Sequence, residues 1–429
     1  MDKVYETAER PKRAFLAGIR NTAAPKTEAG SMARELAGLA HTLGLEIVAQ
    51  ETVTVREKNP KFGMGSGKVQ ELAEKAAALE ADCFIFDWEP TPSQQRNWET
   101  LSGLPVVDRQ ELIIRIFAER AVTREAELQV KLAELSYSLP RLTHKYIDLS
   151  RQRGGRYGTR GAGETRLETD RRLVEKRIRA LERELEEVRR QRGVRRRQRE
   201  RRETPVCAIV GYTNAGKSSL FNALTGADVP AEDKLFATLD AASRRFEPAK
   251  DRPVLLVDTV GFIRRLPHAL VDAFRATLEE VRLADLIIHV LDASESDMDV
   301  FYAATLSVLR ELDAGKIPAI TVLNKIDRLE SPDLLEGLKR RYDGCVPVSA
   351  LTGAGLAELS ARIDHCLSAS RAGQNRVFRF PPGRTDLAAQ LHRSGMVRSE
   401  TYEPGYIEME AQVDEKTAGR LREYLIGEG

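Results

Sequence analysis

Cysteine is scarce in this 429-residue chain: Cys83, Cys207, Cys345 and Cys366 lie far apart and none forms a CxxC pair. That sets aside a disulfide framework and a thiolate metal site, and the four read as small core residues of a reducing compartment. Long apolar runs are missing too. No stretch approaches the ~18 residues of a membrane-spanning helix, so no transmembrane segment is expected. Met1-Asp2-Lys3-Val4-Tyr5-Glu6 lacks the apolar core of a signal peptide, which makes the cytoplasm the expected location. Histidine is sparse and scattered: His41, His144, His268, His289, His365 and His392 form no cluster, and His289 stands in an apolar strand where a core role is expected.

What is abundant is charge, unevenly placed. Between Arg151 and Glu203 there are 20 Lys and Arg against 10 Asp and Glu, a surplus of ten that leaves the rest of the chain eight negative within a net +2. The run from Arg189 to Arg199 has neither acidic residues to neutralise it nor aromatic rings to stack on bases. Such a run suits a polyanionic backbone read by shape and counterion release, RNA before DNA, and DNA is not an expected partner. A solvated helix face is the plainer alternative.

Hydrophobic patterning divides the chain into four. In residues 1–120 strands are expected at 13–19, 45–55, 82–87 and 104–107, with helical spacing between them, which gives an α/β domain with a mostly parallel sheet. In 121–203, Leu128, Leu132 and Leu135 recur at helical spacing, as do Leu173, Val174, Ile178, Leu181, Leu185 and Val188. These predict a long antiparallel helical pair, Ala121 to Leu139 and Leu167 to Val188. The connection 151–166 interleaves five glycines with five arginines, so disorder is expected until an anion binds, with Thr165 and Glu168 as a capping box for the second helix. Residues 204–369 form a third region. Residues 370–429 read as a small α/β appendage: strand 377–380, helix 386–392, strand 397–402, a Pro404-Gly405 turn, strand 406–413 and helix 415–424.

The third region carries the chemistry. Gly211-Tyr212-Thr213-Asn214-Ala215-Gly216-Lys217-Ser218 is a complete GxxxxGK[ST] loop. It follows the apolar run Val206–Val210 and opens a helix through Ser219-Leu220-Phe221. Glycines let backbone N–H groups close on phosphate oxygens, Lys217 is expected on the β- and γ-phosphates, and Ser218 on Mg²⁺. Asp258-Thr259-Val260-Gly261 follows Pro253–Val257 and supplies a Mg²⁺-side carboxylate and a γ-phosphate amide. Asn324-Lys325-Ile326-Asp327 follows Ala319–Leu323. The Asp327 carboxylate can accept from both N1–H and the exocyclic amine of guanine, which adenine does not offer. Ser349-Ala350-Leu351 fits the last base loop, with the Ala350 amide on guanine O6. Four boxes in this order, each after an apolar strand, predict a P-loop domain that binds GTP and GDP.

Catalysis is less conventional. Where many small GTPases place a water-orienting Gln, this chain has Phe262, so slow hydrolysis by the isolated protein and stimulation by a partner are expected. Thr238 is the candidate switch threonine for Mg²⁺. Asn214 resembles the asparagine of potassium-stimulated GTPases, which would give K⁺ a place beside the phosphates, along with Lys217, Thr238 and Gly261 as the reacting-end residues.

The stretch Gly158 to Glu168, the loop Gly211 to Ser219 and Asp258-Thr-Val-Gly-Phe-Ile263 together resemble the HflX family of GTPases. The resemblance covers most of the chain and the C-terminal appendage least securely. It implies a ribosome-associated GTPase that binds the large ribosomal subunit, sets its helical region near ribosomal RNA, and separates or rescues stalled 70S ribosomes under stress; separately, a monomer is expected. A GTP-gated RNA-binding or RNA-modification partner is the alternative. Family members are also reported to bind ATP through the N-terminal domain. Here the candidate is Gly63-Met64-Gly65-Ser66-Gly67-Lys68, which lacks a hydroxyl after the lysine and has the wrong glycine spacing, so it reads as a flexible start of a helix.

Overall fold

The computed structural model describes residues 13–22, 26–152, 160–200, 204–229, 235–236, 242–250, 252–264, 280–371, 375–394, 396–413 and 415–428. The chain divides into two compact units. One comprises Met1–Arg195, Glu232–Asp240 and Arg264–Ala276; the other comprises Arg196–Ala231, Ala241–Ile263 and Thr277–Gly429.

In the first unit, β1 (Arg13–Asn21), β2 (Glu46–Val55), β3 (Cys83–Phe86) and β4 (Val106–Asp108) form a parallel sheet in the order β2-β1-β3-β4. Helices α1 (Lys26–Thr42), α2 (Ser66–Ala78), α3 (Pro92–Ser102) and α4 (Arg109–Arg120) alternate with them. Burial on both faces explains why β3 reads as four consecutive apolar residues, all buried. Phe15, Phe84, Phe86 and Trp98 are fully buried, with Phe84 and Trp98 edge to face at 5.3 Å. Each such phenylalanine contributes about 2 kcal/mol of burial free energy. The indole of Trp98 donates to the Phe62 carbonyl at 2.9 Å, which satisfies its one polar atom. Local sequence sets α3: Thr91 and Gln94 close a reciprocal capping box, Pro92 occupies the first turn, and Gly103 ends the helix at φ +70°.

The helical pair follows. Leu128, Leu132 and Leu135 of α5 (Arg124–Gln152) pack against Leu181, Leu185 and Val188 of α6 (Arg160–Glu200). Three expectations change here. α5 runs through Pro140 rather than stopping before it. Its next turn is anchored by Arg141, which donates to Asp108 Oδ2 at 2.9 Å and to the Tyr137 carbonyl at 3.0 Å. α6 starts at Arg160, so Thr165 lies inside the helix instead of capping it, and only 153–159 of the glycine-rich connection lie outside the described residues. Once nucleated, a long helix gains one bond per added residue, which outweighs the cost of Gly161 and Gly163. Leu173, expected on the seam, is 57% exposed, while Val174 and Ile178 are half-buried. The basic run 189–199 continues the same helix.

The second unit holds a six-stranded sheet, order β10-β9-β8-β5-β7-β6. Its strands are β5 (Val206–Gly211), β6 (Ala242–Ala249), β7 (Arg252–Asp258), β8 (Leu286–Asp292), β9 (Ala319–Asn324) and β10 (Val346–Pro347). All pairings are parallel except β6 with β7. Helices α7 (Lys217–Thr225), α8 (Met298–Glu311), α9 (Pro332–Arg341) and α10 (Leu356–Arg371) connect them. Beyond lie β11 (Asn375–Phe380), α11 (Thr385–Ser394), β12 (Met396–Glu403), β13 (Tyr406–Gln412), α12 (Glu415–Arg420) and β14 (Leu425–Glu428). These strands form an antiparallel sheet in the order β12-β13-β11-β14 around Phe378, Phe380, Leu391 and Met409. The helix expected to reach Tyr424 ends at Arg420, and the last residues form β14 against β11, an edge strand too short to show a period of its own.

Candidate active site

All four boxes meet at the carboxyl ends of β5, β7, β9 and β10. The turn after β5 can be built only with glycine at its two ends. Gly211 has φ +155°, and a Cβ there would lie 2.3 Å from the Val290 carbonyl oxygen. Gly216 has φ +85°, and a Cβ there would lie 2.3 Å from Asn324 Nδ2. Between them Tyr212 is buried and stacks on Phe301 of α8 at 4.0 Å, which holds the loop from beneath. Asn214 is exposed at φ +63°. α7 begins at Lys217, so its positive end faces the loop, with Ser218 and Ser219 in its first turn, both half-buried.

Lys217 is buried, and its ammonium donates to the Tyr212 carbonyl at 2.8 Å. Burial brings its pKa down to about 8, with Asp258 acting against that fall and Lys325 adding to it. An arriving phosphate would add to the negative charge that Asp258 already sets near this cation and push its pKa back up. Ser218 Oγ donates to Asp258 Oδ2 at 2.7 Å, a hydroxyl and a carboxylate converging as a hard divalent cation requires. Thr259 Oγ1 donates to the Ile209 carbonyl at 2.6 Å and ties this strand end to β5. The Thr213 amide donates to the Phe262 carbonyl at 2.8 Å and the Phe262 amide to the Gly211 carbonyl at 3.0 Å, so the two phosphate-side loops are zipped by backbone. Phe262 itself is 4% exposed, its ring in the interior.

On the base side, Asn324 is structural glue: Nδ2 donates to the Ala215 carbonyl at 2.9 Å, and Oδ1 accepts from the Ala350 amide at 3.1 Å. Lys325, at φ +62°, donates to the Asn214 carbonyl at 2.8 Å and pairs with Asp292 at 2.7 Å. Asp327 is exposed and accepts from Ser349 Oγ, whose loop is folded back by the Thr352 amide at 3.1 Å. Leu351 is 85% exposed at the tip of that loop. Thr238 lies outside the described residues.

Several contributors escaped the sequence reading. Asp292 ends β8 and holds Lys325, and Gly355 admits a φ of +76° where a Cβ would lie 2.0 Å from the Pro347 carbonyl oxygen. In the first unit, Arg264, which follows the Asp258 box, donates to Glu35 Oε2 at 2.9 Å and Ser31 Oγ at 2.7 Å, with Arg109 also on Glu35. Leu235 and Phe236 join them: the Leu235 amide donates to Thr42 Oγ1 at 3.2 Å, and the Phe236 ring meets Phe117 edge-on at 4.6 Å.

A glycine-bound phosphate loop with its buried lysine, set on a mostly parallel sheet and followed by guanine-side boxes, places the chain among the P-loop GTPases. Comparison with known proteins narrows this. Three family models match in succession: residues 31–118 the GTP-binding GTPase N-terminal region, 120–199 the GTP-binding GTPase middle region, and 206–325 the 50S ribosome-binding GTPase. GTPase HflX of Akkermansia muciniphila is 43% identical, with 94% of each chain covered. GTPase HflX of Caldanaerobacter subterraneus is 42% identical over 99% of this chain and 96% of that one, and GTPase HflX of Escherichia coli K12 is 42% identical over 86% of each. The chain belongs to the HflX family of GTPases, and it hydrolyses GTP to GDP and phosphate. Among solved structures, a GTP-binding protein from Sulfolobus solfataricus in complex with GDP is 27% identical at a TM-score of 0.43, over 83% of this chain and 99% of that one. No helix among the described residues is long and apolar enough to cross a membrane.

Proposed function

We propose that this GTPase is a ribosome-associated factor that binds the large subunit and, by hydrolysing GTP, separates or rescues stalled 70S ribosomes under stress. Support comes from one pairing of observations: a complete GTP site, and a long helix carrying the uncompensated basic run 189–199, in a family whose nucleotide domain matches a ribosome-binding description. Polyanion binding by such a helix is driven by counterion release and therefore falls steeply with salt.

At the site, Lys217 exchanges the Tyr212 carbonyl for β- and γ-phosphate oxygens, and the loop and α7 amides surround the phosphates. Magnesium, when bound, neutralises charge that develops between the β- and γ-phosphates. Ser218 and Asp258 are the side chains that would hold it, joined by Thr238, and the exposed Asn214 would offer its oxygen to K⁺. Gly261 presents its amide to the γ-phosphate. Asp327 selects guanine through its two acceptor oxygens, with Ala350 on O6, Lys325 along the ring, and Ser349 and Leu351 shaping the loop.

The test is cosedimentation with large subunits in GTP, GDP and a non-hydrolysable analogue, beside GTPase rates alone, with subunits and with tRNA. Retention by GTP and its analogue, and stimulation by subunits only, is the expected result. Stimulation by tRNA and not by subunits would favour the GTP-gated RNA partner.

A further inference from the structure

We infer that Thr213, the third residue of the phosphate loop, is a catalytic residue whose hydroxyl takes the water-orienting place that Phe262 vacates. This rests on the GTPase reading of the site. Phe262 is interior, and its ring has no polar atom to offer water. Thr213 is 6% exposed, and its Oγ1 is buried without a hydrogen-bond partner among the described residues. Native folds rarely leave a buried hydroxyl unpartnered, because water would have served it in the unfolded chain, so such a group points to a bond made with something that arrives later.

Its position says what arrives. A Cβ built on Gly261 would lie 2.9 Å from Lys217 Nζ, 2.8 Å from Thr213 Cα and 2.9 Å from Thr213 Cγ2. The γ-phosphate lysine, the Gly261 backbone and the Thr213 side chain therefore converge on one point. Cγ2 and Oγ1 share a Cβ, so one staggered step of χ1 brings the hydroxyl where the methyl now stands. There it accepts a hydrogen bond from the attacking water and donates its own hydrogen to a γ-phosphoryl oxygen. The water oxygen bonds to the γ-phosphorus, the bond to the β–γ bridging oxygen breaks, and its electron pair leaves on GDP. The water's proton passes to a phosphoryl oxygen, and Thr213 ends as it began.

The test compares Thr213→Val, which keeps the shape and deletes the hydroxyl, with Thr213→Ser, which keeps the hydroxyl. Full-length chains are assayed for single-turnover GTP hydrolysis in potassium and magnesium, GDP affinity and Tm. Expected is a fall of at least tenfold in the hydrolysis rate for Thr213→Val, with GDP affinity within threefold of wild type and Tm unchanged or higher. Thr213→Ser should stay within threefold of the wild-type rate. A Thr213→Val rate within twofold of wild type overturns the proposal. So does a slow Thr213→Ser, or a rate loss that comes with lost GDP affinity or a lowered Tm, since those outcomes make the residue a packing element. If wild-type chain itself bound no GDP, the GTPase reading would fail instead.

Discussion

The four-stranded sheet of the first unit and the six-stranded sheet of the second invite comparison, because one is wholly and the other mostly parallel and each carries a glycine-rich turn ending in lysine. In the six-stranded sheet the turn directly follows the central strand β5. Gly211 and Gly216 let backbone come within contact of its neighbours, and Lys217 is buried with a loop carbonyl as its hydrogen-bond acceptor. In the four-stranded sheet the stretch Gly63 to Lys68 follows no strand directly, since β2 ends at Val55, and its last three residues already form the first turn of α2. Gly63, at φ +82°, is needed because a Cβ would press on Ile19 at 3.2 Å and Trp88 Nε1 at 3.4 Å, a packing reason. Lys68 is already engaged, with Glu71 at 2.7 Å and Glu51 at 3.4 Å. A cavity of about 230 Å³ near the carboxyl ends of β1 and β2 is lined by Leu16, Ile19, Met32 and Trp88 together with Arg20 and Lys58, and neither Gly63 nor Lys68 is among its lining residues. Similar layers and similar letters thus give a phosphate cradle in one case and a helix start in the other. What separates them is the order of strand, turn and helix and the charge left for the lysine to meet.

The sharpest way to break this comparison is to remove each lysine. Lys217→Ala should cut GTP turnover by roughly 10²–10³-fold, the cost of deleting one preorganised charge at a phosphoryl centre, while the far-UV spectrum stays that of wild type. Normal turnover in this variant would move the reaction elsewhere.

Acid should separate the sheets next. His289 of β8 is interior and stacks on Tyr302 at 5.1 Å, and burial, with Lys217 adding to it, lowers its pKa from 6.5 to about 4. A base whose folded pKa lies below its unfolded value leaves the unfolded chain holding the extra proton between those two values. Stability from this group is therefore complete above about pH 6.5 and is lost as the pH falls toward 4, by about 3 kcal/mol in all. His289→Phe should flatten that acid limb for the unfolding transition that GDP shifts upward, and an unchanged limb would exclude His289 as its source. Base selection ranks third. Asp327→Asn turns an acceptor into a donor and should move preference from guanine toward xanthine nucleotides by up to about a hundredfold, read as relative affinities.

How much of this was legible in the letters follows from how far each feature reaches along the chain. The loop from Gly211 to Ser218 announces itself because its residues answer to backbone a few positions away, and the apolar runs of β5, β7 and β9 betray burial on both faces. β6 was missed because its alternation is mixed, with half-buried and exposed positions in no regular order. The true start of α6 was hidden by Gly161 and Gly163, which local propensity reads as loop. Arg264 and Glu35 are 229 positions apart and leave no periodic trace; only the folded chain brings them together. Thr213 was visible as a motif letter, but that its hydroxyl has no partner among the described residues is a fact of packing. The phosphate and base boxes were therefore readable as types, while the contacts that hold them, such as Asp292 on Lys325, required the fold.

The smallest expected effect closes the comparison from the other side. Lys68→Ala removes a cation from two carboxylates on half-exposed surface, where its hydrogen bond to Glu71 is the main reason its pKa is raised. Exposed pairs of this kind contribute below about 1 kcal/mol because solvent screens them and holding both side chains costs entropy. Lys75 remains beside Glu51 at 2.6 Å and Glu71 at 3.0 Å, so neither carboxylate is stranded by the substitution. Tm should move by no more than a degree or two, and GTP turnover should stay within the error of wild type. A loss of turnover comparable to that of Lys217→Ala would mean that the lysine of the four-stranded sheet also meets phosphate, and the distinction between the two turns would have to be redrawn around Lys68.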